Sequence, residues 1–404
     1  MSRETVLRRL GSPLALVLLA VTIRLAFVIS MGDKVYFADT AEYEAAAIRL
    51  LDGAGPGEST PRAPLFPAEM ALGFLLGGRG NYFAVRMIQL ALAALLSLLA
   101  MRIAGRLGGR SAATITGVVI AFAPTLVFST GMLYPTLLYS TLLTGAVATA
   151  LAADDEARSA RGLLLGTLLA LAYLTDPVAL APAGVLLGWL AFQGRGRAFA
   201  IVKVLAAALL AMAAVLGPVT AWQKAASGGK TVFMQKAQYV LHYSRTDSML
   251  AGNRWVRLEA DPDYRPLATG EFLRQEWALL SGRPVAYVHD VAAEFLHFFQ
   301  PLPDRIQTKN QDSRGPVLML GAVYFLPVLL LAILGLLRGS GEGRRRLALA
   351  LVVLATAAFY SLFFTQTRYR IPVEPALIVL AALGFARALP PVARALDGDG
   401  PARD

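Results

Sequence analysis

Residues 36–44, Tyr36-Phe37-Ala38-Asp39-Thr40-Ala41-Glu42-Tyr43-Glu44, set three carboxylates between the first two apolar segments of a very hydrophobic chain. Carboxylates at a membrane edge are costly unless they have a partner or a task. On a helix, Asp39, Glu42 and Tyr43 fall at i, i+3 and i+4 and share one face, so they can converge on one ligand. The reading is a catalytic corner at the surface of an integral membrane protein.

Outward from that stretch, composition agrees. The 404 residues are 56% hydrophobic and only 16% charged, with a mean hydropathy of +0.56, whereas soluble domains carry about 25% charged residues. There is no cysteine, which excludes disulfides and thiolate metal sites. The net charge of +11 is spread as arginines that punctuate apolar runs, not as a basic stripe, so it reads as topology and not as nucleic-acid binding.

Hydropathy predicts roughly ten transmembrane helices of the ~20 residues a bilayer requires, centred near residues 21, 94, 120, 143, 168, 186, 211, 326, 356 and 379. Alternate connections hold the cations: Arg3, Arg8 and Arg9; Arg102, Arg106 and Arg110; Arg158 and Arg161; Arg195, Arg197 and Lys203; Arg338 and Arg344 to Arg346; Arg387 and Arg394. The positive-inside rule puts these in the cytoplasm with both termini. The first apolar stretch, Leu14 to Met31, contains Arg24 and lacks a small-residue cleavage site, so it is expected to stay as a membrane helix.

Two outer loops exceed simple turns, approximately 32–81 and 223–314, the larger lying between spans seven and eight. In the first, Asp39 to Leu51 and Pro67 to Leu76 read as amphipathic interfacial helices. In the second, Phe272 to Leu280 and Val285 to Phe299 read as helices, with Pro284 at a start. Residues 1–388 form one transmembrane domain in this reading, and 389–404 a cytoplasmic tail.

The order of motifs then carries a family likeness. Asp39-x-x-x-Tyr43-x-x-Ala46 running to Leu51-Asp52-Gly53, Arg62-Ala63-Pro64-Leu65-Phe66-Pro67, and Ala84-Val85-Arg86-Met87-Ile88-Gln89 come first. Gly217-Pro218 with Trp222, Glu276 to Pro284 leading into Phe295 to Pro301, and Arg368-Tyr369-Arg370-Ile371-Pro372-Val373-Glu374-Pro375 follow. Over roughly residues 20 to 388 this resembles bacterial GT-C membrane glycosyltransferases, relatives of the protein O-mannosyltransferases and of the lipid A aminoarabinose transferase.

The resemblance implies an all-α polytopic GT-C fold in the bacterial inner membrane. It implies a sugar moved, with inversion, from a polyprenyl-phosphate donor to a lipid, glycan or protein acceptor at the outer, periplasmic face. It carries the general base over to Asp39. Arg62 stands where the aminoarabinose transferase has a phosphate-contacting lysine, and Arg368 and Arg370 stand at the mouth of the last span. The chemistry of the residues agrees: a hydroxyl becomes a competent nucleophile when a carboxylate takes its proton, and a departing phosphate needs cations. A transporter or flippase of a lipid-linked sugar would use similar cations, but no repeated halves are visible.

Three positions depart from the family pattern. Tyr134-Pro135-Thr136 replaces a Thr-Glu pair, Asp176-Pro177 replaces Arg-Pro, and Asp39 is followed by Thr40 where many relatives have a second acid. A divalent metal is therefore an open question, with Asp39 and Glu42 the only candidate ligands. Asp39 also suits the N-cap of the following helix, and Glu42 and Glu44 suit its dipole. Substrate contacts are assigned to Glu42, Tyr43, Arg62, Tyr239, Tyr243, Arg368 and Arg370. Tyr239 and Tyr243, beside Lys230, Lys236 and Arg245, suit equally an interfacial belt. His242, His289 and His297 lack metal-ligand spacing, and Ser227-Gly228-Gly229-Lys230-Thr231 lacks the Walker spacing and a preceding strand.

Overall fold

The computed structural model describes residues 12–37, 39–54, 62–193, 198–226, 269–302, 316–339, 343–363 and 365–397. They form helices joined by short turns, with no strand among them. Six are long and apolar enough to cross a bilayer: Pro13–Met31, Tyr82–Phe122, Thr136–Asp155, Ala198–Ala225, Leu320–Arg338 and Thr367–Ala388. Leu65–Gly77, Ser159–Thr175 and Pro177–Gln193 are apolar but shorter. Each of the ten expected centres falls within a helix.

Local chemistry sets the helix ends. Helix α1, Pro13–Met31, starts with Ser12 accepting from the Ala15 amide at 3.3 Å and with proline in its first turn. Next come α2, Thr40–Leu51, and α3, Leu65–Gly77, the latter beginning two residues before its expected start. Helix α4, Tyr82–Phe122, runs 41 residues but breaks at Gly108 and Gly109, so the centres expected near 94 and 120 belong to its two arms. Gly109, at φ 75°, occupies the left-handed region that glycine enters without penalty. Gly117 packs on Met101 and Gly105 on Ala113, pairs symmetric about the break, so the arms run antiparallel.

The returning arm begins under an unexpected cap: Asp397 accepts from the Ser111 amide at 2.7 Å. The segment read as a tail contributes a helix, Pro390–Asp397, that docks on α4. Pro124 ends the same arm and has no N–H to give the Ile120 carbonyl. Arg24 of α1 supplies it, donating to Ile120 O at 2.8 Å and to Ala121 O at 3.4 Å. A buried cation in an apolar span thereby becomes a cross-helix cap.

Beyond α5, Pro124–Gly131, the central helix is α6, Thr136–Asp155. On it pack α7, Ser159–Thr175, and α8, Leu180–Gln193, while α9, Ala198–Ala226, packs on α7. Gly162 and Gly166 of α7 meet α9 so closely that a methyl at Gly166 would sit 2.0 Å from the Ala208 carbonyl oxygen. Small residues four apart are how membrane helices approach backbone to backbone. Then follow α10, Thr269–Gly282, α11, Pro284–Phe298, α12, Pro316–Arg338, α13, Gly343–Ser361, and α14, Glu374–Ala388. A 3-10 segment, Thr367–Val373, precedes α14.

The bundle has two chemically different poles. Where α6 ends, Arg345 bonds Asp154 at 3.1 Å and Arg106 pairs with Asp155 at 3.7 Å. The start of α6, about 30 Å away at 1.5 Å per residue, adjoins α2 and α3. Glu69 lies on the buried face of α3 with neither carboxylate oxygen hydrogen-bonded, and burial lifts it from the ordinary value of 4.5 to about 8. The folded protein thus holds a proton that the unfolded chain releases above about 4.5, so stability falls as pH rises through that window. Glu69→Gln is expected to flatten this slope in thermal unfolding followed from pH 5 to 9. A pH dependence unchanged by the substitution would show that another group carries it.

Candidate active site

The loop entering α2 is fixed by one arginine. Arg86, 1% exposed, donates to Gly131 O at 2.8 Å, to Lys34 O at 2.6 Å and also to Gly32 O, tying the exit of α1 to the end of α5. Asp39 then arrives at the N-cap position of α2, but its side chain makes no capping bond there. This corrects the capping expectation. The carboxylate turns inward instead: Oδ1 lies 3.3 Å from Arg62 Nη2, and Oδ2 accepts from the Tyr134 hydroxyl at 3.4 Å.

One turn on, Glu42 Oε2 accepts from Arg62 Nε at 2.7 Å, so a single guanidinium bridges both acids. The Arg62 guanidinium also stands 5.1 Å from the centroid of the Tyr43 ring. Burial works against the Arg62 charge, yet Tyr43, Asp39 and the Glu42 bond outweigh it and hold the side chain protonated. Tyr43 is buried, edge-on to Phe66 at 5.1 Å and to Tyr134 at 5.7 Å. Burial raises both tyrosine hydroxyls above their ordinary range, so they act as donors and not as bases. Glu44 points elsewhere and accepts from Tyr82 at 2.8 Å.

Arg368 reaches the same corner from the opposite end of the chain. Its guanidinium lies 4.6 Å from the Phe37 ring centroid, 4.9 Å from that of Tyr134 and 5.6 Å from that of Tyr369. Its charge interacts with Asp39, but no ion pair joins it to a carboxylate among the described residues, and its Nε is buried without a partner. Behind it Tyr369 stacks on Tyr360 at 4.6 Å, and the Tyr360 hydroxyl donates to Asp176 Oδ2 at 3.0 Å. Glu294 of α11 accepts from the Thr365 amide at 2.8 Å, anchoring the strap that presents Arg368.

Arg370 does not join this corner. It is 1% exposed, pairs with Glu374 at 3.3 Å, donates to the Gln300 carbonyl and covers the Phe325 ring at 3.5 Å. Its expected contact with a donor phosphate is replaced by a buried ion pair inside the bundle. Tyr239 and Tyr243 lie outside the described residues. Asp39, Glu42, Tyr43, Arg62 and Arg368 are thus brought together. The sequence marks Tyr134 and Asp176 only as departures; Phe37, Arg86 and Tyr369 stand in quoted motifs without an assigned role, and Tyr360 carries no sequence signal. Tyr134, standing where an acid was expected, was the one usable signal.

Beside Arg62, Leu50, Pro64, Leu65, Ala68, Leu174, Val219 and Trp222 line an apolar cavity of about 170 Å³. As for a metal, Asp39 and Glu42 both already face Arg62, and no group of three His, Cys, Asp or Glu residues able to hold an ion occurs among the described residues. Both acids are thus already engaged by one guanidinium.

The family model for dolichyl-phosphate-mannose-protein mannosyltransferase matches residues 61–222. No curated protein matches by sequence. Among solved structures, ArnT from Cupriavidus metallidurans bound to undecaprenyl phosphate is similar with a TM-score of 0.58 at 18% identity, over 92% of this chain and 60% of that one. The Archaeoglobus fulgidus oligosaccharyltransferase in its apo form gives a TM-score of 0.59 at 14% identity, over 97% and 52%. The GT-C fold expected from the motifs is therefore shared with these transferases, and the chain spans between half and two thirds of their length.

Proposed function

We propose that this protein is a membrane glycosyltransferase that takes a sugar from a polyprenyl-phosphate carrier and delivers it to an acceptor hydroxyl or amine at the outer face. The observation that carries this reading is Arg368, a cation caged by Phe37, Tyr134 and Tyr369, ion-paired to no carboxylate among the described residues, whose charge is felt by Asp39. An aromatic cage keeps a guanidinium oriented while leaving its donors for an anion. A donor phosphate there would set the anomeric carbon near Asp39.

In the transfer, Asp39 takes the acceptor proton as the new glycosidic bond forms. The bond from C1 to the phosphate oxygen breaks on the opposite side, and polyprenyl phosphate leaves with its electron pair. One displacement inverts the anomeric centre. The apolar cavity beside Arg62 suits the first isoprene units. The similarity to a transferase solved with undecaprenyl phosphate supports this donor class.

Arg368→Ala is expected to lower kcat/KM for a synthetic polyprenyl-phosphate sugar about ten- to a hundred-fold, the worth of a charged hydrogen bond to phosphate. Arg344→Ala, whose side chain bonds Gln193 at the opposite pole, should leave it unchanged. Equal losses in both variants would remove Arg368 from the phosphate site.

Sidedness follows from the poles. With the cationic pole in the cytoplasm, the exposed position Ala54 faces outward and exposed Ser159 inward. In this cysteine-free chain, Ala54→Cys should react with an impermeant thiol reagent in intact cells and Ser159→Cys should not. The reverse pattern would place Asp39 in the cytoplasm and end the outer-face reading.

A further inference from the structure

Asp39 and Glu42 stand one helical turn apart beside the phosphate site proposed at Arg368. That is the usual way a protein holds a hard divalent cation, which takes one or two carboxylates and completes its shell with substrate phosphate and water. In this chain the position between the acids is filled. Arg62 reaches Glu42 through Nε at 2.7 Å and Asp39 through Nη2 at 3.3 Å, and its face is closed by the Tyr43 ring. The planar fork of arginine gives each acid its own N–H, which an ammonium on a flexible stem would not do.

The second Asp39 oxygen has a separate donor in Tyr134 at 3.4 Å, at the place where a further acid was expected. A third carboxylate, which would strengthen a metal site, is here a hydrogen-bond donor. An incoming divalent ion would have to expel a cation held by two acids and an aromatic face, and would meet Arg368 nearby.

We propose that Arg62 is the resident cation of this site. It supplies from the protein the charge that a divalent ion would supply, so that donor binding and sugar transfer proceed without metal, and it holds the Asp39–Glu42 pair closed to metal. This rests on the transferase reading for its consequence in turnover, but the exclusion of metal is a property of the apoprotein. One guanidinium thereby offsets half the charge of the two acids before substrate arrives. Oδ1 of Asp39 is oriented by Arg62, and Oδ2 is the oxygen left for the acceptor proton.

The test is Mn²⁺ binding to detergent-purified full-length protein, read by electron paramagnetic resonance, alongside turnover with and without EDTA. The wild type is expected to bind no Mn²⁺ stoichiometrically and to turn over equally in EDTA. Arg62→Met is expected to lose turnover and to acquire stoichiometric Mn²⁺ binding that disappears again when Asp39→Asn is added. Arg62→Lys, which keeps a positive charge, should still exclude the ion. If the Met variant fails to fold, Arg62→Gln takes its place. Wild-type Mn²⁺ binding abolished by Asp39→Asn, wild-type turnover lost in EDTA and restored by Mn²⁺, or uncharged Arg62 variants that bind no Mn²⁺ would each overturn the proposal. Absence of sugar transfer under every condition would instead sink the transferase reading, while the Mn²⁺ comparison would still decide the role of Arg62.

Discussion

Asp39→Asn is expected to lower sugar transfer by a factor on the order of 10² to 10⁴, the usual contribution of a general base, while the protein remains folded and still binds polyprenyl phosphate. The substitution keeps shape and leaves an amide oxygen for Arg62. It removes the capacity to take a proton, together with the charge that faces Arg62. Because the Asp39 side chain makes no capping bond to α2, the helix start should survive. Single-turnover rates with a radiolabelled lipid-phosphate sugar measure the effect, and retained carrier binding separates chemistry from misfolding. Near-normal turnover would remove Asp39 from the mechanism, and a variant that binds but does not transfer would also argue against a pure flippase.

Arg370→Ala is expected to fail by unfolding and not by losing its donor. Its guanidinium and Glu374 are each 1% exposed, and removing one partner of such a pair strands the other charge at a cost of about 3 to 5 kcal/mol. Glu374 would keep only the Thr125 hydroxyl among its bonded partners described here. Replacing both residues, as Arg370→Met with Glu374→Met, should recover much of the loss because neither charge is then buried alone. Thermal unfolding in detergent, monitored by size-exclusion recovery, distinguishes the variants. A stable Arg370→Ala protein deficient in donor use would return this arginine to the phosphate site.

The contrast between Arg368 and Arg370 shows where sequence reading stops. Two residues apart, they looked equivalent at the mouth of a span. At three residues per turn in the 3-10 segment, they project to different sides, one onto an aromatic cage and the other into the bundle. Spans and charge bias were legible because the bilayer writes them locally, through hydropathy and alternating cations. Helices near Asp39 to Leu51 and Pro67 to Leu76 were legible as helices, but the second is apolar along nearly its whole length, Glu69 apart, and not amphipathic as expected. Pairings across the chain were not: Tyr134 with Asp39, Tyr360 with Asp176 and Arg86 with the first loop are set by packing between segments 95, 184 and 52 to 54 residues apart. The Arg62 bridge came nearest to being readable, since both acids and the arginine lay in recognised motifs, yet no local rule shows that one cation serves both acids.

The clasp between Asp397 and the Ser111 amide joins residues 286 positions apart. The returning arm of the α4 hairpin therefore enters the bilayer with the first N–H groups of a helix uncovered, and stays so while most of the protein is still being translated. Its lasting registration waits for residue 397 to emerge from the ribosome and fold back. The α4 hairpin is thus clasped by a helix made long after it, and quality control that acts before that helix is synthesised meets a hairpin not yet locked.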